Sequence, residues 1–428
     1  MLKRLRSIGR RIRKKLRKYV VAPARRIYIR KIPIAMITGT KGKTTTTRML
    51  AHILTKAGHR VGHTSTDGIV INGEYIIRYD SSGYNGAHTV LSNRTITAAV
   101  LETARGNLLK VGLYIDRCDA AALLNVGREQ IGIDGINTLE QMSALKQRVI
   151  NTARRAVVLN ADDAQLTRMI EQYPTHRVKL FSLRTDNQFV HNHILKGGTV
   201  YILKNSVSGD YIERLDNKSQ VTVITIDDLP SSKNGLFPQN IANAMAAAAL
   251  AEGMGIPLDI IKAGLQSFEN TLECSPGRFN FIDGYSQTVL IDSAAQVPST
   301  TALVASLERI NVVGRKVCMY VTPGNRPSWQ YTELGEILGP HFDRFVCYEL
   351  EEYRRGRAPG EISNLLKAGL VHAGISPDRI YTAQGYIDAT KQLSKIVGEN
   401  DLVVILMVNI HEYLPVFREH FAAHLVRA

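Results

Sequence analysis

Cysteine is scarce in this chain: four residues in 428, at Cys118, Cys274, Cys318 and Cys347. Their wide separation excludes a disulfide framework and a paired zinc-ligand motif. With no secretory leader in view, this usage implies a reducing, cytoplasmic setting. Long apolar runs are missing too; none approaches the ~20 residues that a membrane-spanning helix needs. Acid is absent from residues 1–31, which hold 14 Lys or Arg, and the other 40 basic residues face 38 acidic ones. The net charge of +16 therefore belongs to an N-terminal arm, residues 1–31, and not to the body.

The arm is patterned. Leu2, Leu5, Ile8, Ile12, Leu16 and Tyr19 recur every three or four residues, one face of a basic amphipathic helix that runs until Pro23. Such a helix suits an anionic membrane surface, which would put the protein at the inner face of the membrane. It equally suits packing on a partner protein or on the chain's own body. Nonspecific contact with nucleic acid is the least favoured of the three readings.

From Ile32 the pattern is α/β. Ile34–Thr38 reads as a short buried strand, and residues 43–57 as a helix closed by Gly58. Further strands are expected at 98–101, 120–125 and 157–160, with a helix over 138–153 that Thr138 caps. Residues 199–203 and 211–215 flank a turn-rich segment, as an antiparallel hairpin insertion would. An alanine-rich helix over 240–251 follows, begun by Asn240 and Asn243; a plain helix cap is the alternative role for Asn240. Strands at 288–292, 316–321, 345–349, 379–382 and 402–408 then alternate with helices. The expected fold is a P-loop-type central domain with a mainly parallel sheet, residues 32–270, followed by a Rossmann-like α/β domain, residues 271–428.

The strongest local signal is ITGTKGKTTTT, Ile37–Thr47. A strand, a glycine turn and a helix start direct backbone N–H groups at a phosphate chain. Gly39 and Gly42 permit close approach, Lys43 offers a cation for the terminal phosphates, and the Thr44 hydroxyl can reach Mg2+. Ile37 stands where the full pattern needs glycine, so this is the shortened GTxGKT form. His191 and His193 make a tempting HxH pair, but without Cys or acidic partners they are expected in a surface loop.

This loop resembles the ATP loop of Mur ligases, folylpolyglutamate synthetases and the Mur-like half of cyanophycin synthetases. TSTDGIVINGE (Thr64–Glu74), AAVLETARG (Ala98–Gly106), GLYIDRCD (Gly112–Asp119), LLNV (Leu123–Val126), VVLNADD (Val157–Asp163), GRFN (Gly277–Asn280) and RGRAPGEI (Arg355–Ile362) resemble cyanophycin-synthetase segments in the same order. With about 30 residues before the loop, the chain resembles that Mur-like half alone. The resemblance implies ATP and Mg2+, with the nucleotide held by Gly39, Thr40, Lys41, Gly42, Lys43, Thr44, Thr45, Asn240, Arg278 and Asp292. Asn243 matches the adenine-side pattern beside Asn240. It implies Lys43, Glu102, Lys146 and Arg278 as catalytic groups, Lys146 being a lysine often carbamylated in relatives. Metal contacts would come from Thr44, Glu102, Gln130 and Lys146. Substrate contacts would come from Thr66, Asp67, Arg105, Arg355 and Arg357.

Several positions depart from the family. Glu129 and Gln130 replace an Asp-His pair, Gln239 another His, and DSAAQVP (Asp292–Pro298) a DYAHNP segment. PGNR (Pro323–Arg326) replaces PGDR. The implied activity is ATP-dependent joining of a carboxylate to an amine through an acyl-phosphate, adding an amino acid to a peptide or polyamide end. A membrane-associated poly-γ-glutamate-type ligase is one alternative. An ATP-binding regulatory or scaffold subunit, motivated by Gln130 and Ala295, is the other. Homo-oligomerisation stays open.

Overall fold

The computed structural model describes residues 31–128, 131–293 and 296–426. The amphipathic pattern of the arm, Glu129, Gln130 and Ala295 lie outside these residues. Two sheets organise the chain. The larger has eleven strands in the order β11-β10-β9-β8-β7-β6-β1-β5-β2-β3-β4. These are β1 Ile34–Thr38, β2 Val61–Ser65, β3 Gly68–Ile71, β4 Glu74–Ile77, β5 Ala98–Glu102, β6 Cys118–Leu123, β7 Ala153–Asn160, β8 Val178–Ser182, β9 Thr199–Lys204, β10 Tyr211–Leu215 and β11 Gln220–Thr225. The run from β2 to β9 is parallel, and antiparallel strands close both edges.

The expected hairpin at 199–215 is therefore not an insertion. β9 pairs in parallel with β8, and β10 and β11 extend the main sheet. Turn residues read from the sequence reveal the hairpin, but not which strand its first arm joins. Residues 188–195 also differ from expectation. They form a helix, not a surface loop, capped by the Asn187 side chain. His193 is buried with Nε2 on the Val178 carbonyl, 2.9 Å away, while His191 is exposed.

Helices cover both faces, as a parallel sheet requires. One face is packed by the helices Lys43–Lys56, Pro238–Met254 and Leu258–Gln266. Ala244 through Ala251 are fully or almost fully buried, and the small side chains let this helix lie close on the sheet. A Cβ at Gly253 would stand 2.4 Å from that of Ala156. The helix starts at Pro238 behind Phe237, so Asn240 is not its cap; its Nδ2 instead donates to the Ser231 carbonyl at 2.8 Å. Tyr84–Ser92 and Leu139–Ile150 pack the other face, the latter capped by Thr138 as its sequence suggests.

The second sheet has the order β12-β13-β17-β14-β15-β16: β12 Asn280–Ile282, β13 Thr288–Asp292, β14 Lys316–Tyr320, β15 Arg344–Glu349, β16 Ile380–Gln384 and β17 Leu402–Leu406. All pairs but β12–β13 are parallel, and apolar clusters fill both faces. Among the described residues no helix is long and apolar enough to cross a membrane.

Candidate functional site

β1 lies between β5 and β6, where the strand order reverses direction, and the loop leaving its carboxyl end opens into a crevice. Open α/β sheets bind ligands there. Gly42 takes φ 82° as it starts the helix Lys43–Lys56, a backbone that disfavours side chains. A Cβ there would also meet Asn243 Oδ1 at 2.3 Å. Asn125 templates the loop, accepting the N–H groups of Thr40 and Lys41 on Oδ1 at 2.9 and 2.8 Å. Its Nδ2 returns a bond to the Lys41 carbonyl at 3.2 Å. Lys43 Nζ sits 2.9 Å from the Thr40 carbonyl, and Lys146 Nζ, buried, holds the Gly39 carbonyl at 2.8 Å.

Glu102 ends β5 beside the loop and is almost wholly buried. Its Oε2 accepts from Thr44 Oγ1 at 2.9 Å and from the Thr66 N–H at 3.3 Å. Oε1 is buried without a hydrogen-bond partner. Burial pushes the carboxyl above its usual range, against the pull of the nearby Lys43 cation. A buried carboxylate oxygen facing a hydroxyl and a phosphate-type loop is suited to a hard divalent cation. Among the described residues no group of three or more His, Cys, Asp or Glu forms a cage of its own. An ion here would take its remaining ligands from phosphate and water, as Mg2+ does.

The cleft, about 800 Å³, runs between the two sheets. Thr40, Lys41, Thr45, Thr66, Arg105 and Asn240 line it from the larger body, and Arg278, Phe279 and Asp292 from the smaller. Lys41 Nζ reaches Gln296 Oε1 across it at 3.3 Å. Asp292 ends β13 and accepts the Phe279 N–H at 2.8 Å, which fixes Phe279 at φ 51°. Burial works against the charge of Arg278, but Asp67, Asp292 and Glu102 outweigh it and raise its pKa. Arg278 Nη2 lies 3.8 Å from Asp67 Oδ1.

Other expected residues are elsewhere engaged. Arg105 is buried and gives its two terminal nitrogens to Asp134 and to the Ile133 carbonyl, bracing the adjoining loop. Arg355 and Arg357 are not among the residues lining the cleft. Arg357 donates to the Gly324 and Arg326 carbonyls at 2.8 and 2.9 Å and to Glu361 at 2.5 Å, so it holds the 324–326 turn. Arg355 is exposed, its guanidinium 5.5 Å from the Tyr353 ring. Sequence reasoning passed over Asn125 and Arg48. Asn125 stood inside LLNV, and Arg48 stands four residues after Thr44 on a helix face it shares with Thr44, Thr45, His52 and Thr55.

A glycine turn between strand and helix at a sheet's switch point, faced by a second α/β body, forms a cleft of the kind that suits a nucleotide. The Mur ligase middle-domain model matches residues 37–251, half of the chain, and the chain belongs to that family. It is 33% identical over 393 residues to the cyanophycin synthetase of Synechocystis sp., a match covering 91% of this chain and 44% of that one. The cyanophycin synthetase of Crocosphaera subtropica is 36% identical over 344 residues, covering 80% and 38%. The chain thus spans less than half the length of these relatives. Its fold is that of a folylpolyglutamate synthase/dihydrofolate synthase solved with Mn, AMPPNP and L-glutamate bound, with a TM-score of 0.66 at 18% identity over 95% of this chain and 93% of that one. The MurF ligase of Thermotoga maritima in complex with ADP gives 0.60 at 20% identity, covering 92% and 81%.

Proposed function

We propose that this chain is an ATP-dependent carboxylate–amine ligase that makes a peptide or isopeptide bond and releases ADP and phosphate. The observation that carries the reading is the partly satisfied Thr44–Glu102 pair beside Lys43, faced across one cleft by Arg278 and Asp292. A carboxylate is a poor electrophile, and phosphorylation gives it a leaving group. One carboxylate oxygen bonds to the γ-phosphorus as the bond to the ADP oxygen breaks. The amine then bonds to the acyl carbon, phosphate leaves with the carboxylate oxygen, and the amine gives up a proton.

Such chemistry rests on alignment and charge neutralisation. Lys43, released from the Thr40 carbonyl, supplies the fixed cation, and Arg278 the cation from the second body. Asp292 is positioned for the ribose hydroxyls and Asn240 for the adenine end. Lys146 braces the loop through Gly39 and, with Thr44 and Glu102, borders the space for divalent metal. Mg2+ bound there would neutralise phosphate charge during the transfer. Thr66, whose N–H bonds Glu102, and Arg105 line the cleft, and Asp67 lies beside Arg278; the acceptor carboxylate would enter on this side. The relatives' names suggest an amino acid as the amine and a growing polyamide as the carboxylate.

The test is product analysis. The full chain with ATP, Mg2+ and a panel of amino acids and short acidic peptides should release ADP only when amine and carboxylate are both present. The product mass should grow by one amino acid. AMP as product, or ADP release indifferent to both substrates, would contradict the proposal.

A further inference from the structure

Arg48 is 4% exposed and lies on the helix that starts at the phosphate loop, four residues after Thr44 and so on the same side of that helix. It is not among the residues that line the cleft. A buried guanidinium is costly unless paired. Arg48 Nη2 donates to Asp67 Oδ2 at 2.8 Å and to the Tyr75 hydroxyl at 2.9 Å. Both partners lead to the other body. Asp67 turns its second oxygen, Oδ1, to Arg278. The Tyr75 ring stands edge-on to His411, centroids 5.6 Å apart, at the start of the helix Ile410–His420. Arg78, close over the Tyr75 ring, places Nη1 3.3 Å from His411 Nδ1.

Two separate contacts from the second body thus converge on one buried side chain of the phosphate-loop helix. We infer that Arg48 is a positioning residue that ties the phosphate-loop helix to the seating of the second domain. With one carboxylate oxygen fixed on Arg48, Asp67 has the other aimed across the cleft, and this holds Arg278 at the phosphate end. With its hydroxyl fixed, Tyr75 presents its ring edge to His411. Arg48 serves both acceptors through Nη2 alone, while Nη1 is buried without a hydrogen-bond partner; a lysine ammonium ends one bond short of the Nη2 position and would not reach both acceptors. The inference rests on the proposed role of Arg278 at the phosphates, but the seating it describes is measurable without catalysis.

The experiment uses the full chain carrying a donor–acceptor dye pair, one dye on each body, titrated with AMPPNP and Mg2+, together with steady-state ADP release. The wild type should shorten its interdye distance on binding nucleotide. Arg48→Gln should bind nucleotide with KM for ATP changed less than threefold, lose most of the distance change, and drop kcat by tenfold or more. Arg48→Lys should recover only part, and Tyr75→Phe, which removes one hydroxyl and no charge, should lose a few-fold in kcat with a smaller distance change. If Arg48→Gln does not fold, Tyr75→Phe and Arg48→Lys carry the test through the same readouts. Wild-type closure and kcat in the folded variants, or a wild type that does not close, would overturn the inference. Closure lost in Arg48→Gln while the wild type forms no amide would sink the ligase reading and leave the coupling standing.

Discussion

The two bodies that border the cleft are organised differently. On the phosphate-loop side the polar groups are buried and tied to one another: Asn125 to the loop backbone, Lys146 to Gly39, Thr44 to Glu102. At the cleft the second body reaches across through longer contacts, Arg278 to Asp67 at 3.8 Å and Gln296 to Lys41 at 3.3 Å, while away from it Arg309 Nη1 donates to the Gly235 carbonyl at 2.6 Å. Dense, short bonds suit a preorganised phosphate cradle; long ones suit a wall that seats when ligand arrives. The difference teaches that a lesion on the loop side should remove chemistry outright. A lesion on the other side should change how the cleft closes.

The largest effect should come from Lys43→Ala. Losing the loop's cation should cost about 2–4 kcal/mol of transition-state stabilisation, read as a fall in kcat/KM for ATP. Near wild-type turnover would break the comparison at its first term. Glu102→Gln should lower turnover and raise the Mg2+ concentration it needs, and yet stabilise the empty protein. The folded-state pKa of Glu102 is raised, chiefly by burial. Its ionisation therefore costs stability as pH rises from the ordinary carboxylate value through the raised one, and the neutral amide escapes that cost. A melting temperature at pH 7 that rises in Glu102→Gln, with no gain at pH 4, is the expected pattern.

Gly42→Ala tests the cradle without touching a charge. A positive φ and a Cβ against Asn243 Oδ1 should cost about 1–2 kcal/mol of stability in denaturant titration. Across the cleft, Arg357→Ala should cost about 1 kcal/mol by releasing the 324–326 turn. Arg355→Ala should change stability by less than about 0.5 kcal/mol. A raised KM for the amino acid in Arg355→Ala alone would mark it as a substrate contact, and the same rise in Arg357→Ala alone would reverse that assignment.

What could be read from the sequence divides along similar lines. Strand β1, the helix after it and the Thr138 cap are written in consecutive residues, where apolar periodicity and one capping side chain decide the outcome. The glycine turn after β1 was legible for the same reason: strand, turn and helix start follow one another in the chain. The short strands β2, β3 and β4 were not read, because Gly68, Asn72 and Gly73 interrupt runs too brief to show a period. His193 was misread because its polarity concealed a buried bond to Val178. The alternative of Asn240 as a helix cap fails because Pro238 starts the helix two residues earlier. Arg48 could not be assigned, since its meaning depends on Asp67 and Tyr75, which the chain brings beside it only after two more strands, and on Arg278, which arrives with a different sheet. Family resemblance named Arg278 and Asp292, but only the folded chain relates them to Arg48 and Phe279.

The central claim is that a carboxylate is activated by phosphorylation within this cleft, and positional isotope transfer tests it most directly. The acceptor carboxylate, labelled with ¹⁸O on both oxygens, is incubated with the full chain, ATP, Mg2+ and the amine, and the released phosphate is analysed by mass. Acyl-phosphate chemistry predicts one ¹⁸O per phosphate, in step with amide formed. Phosphate carrying oxygen from water alone would contradict it.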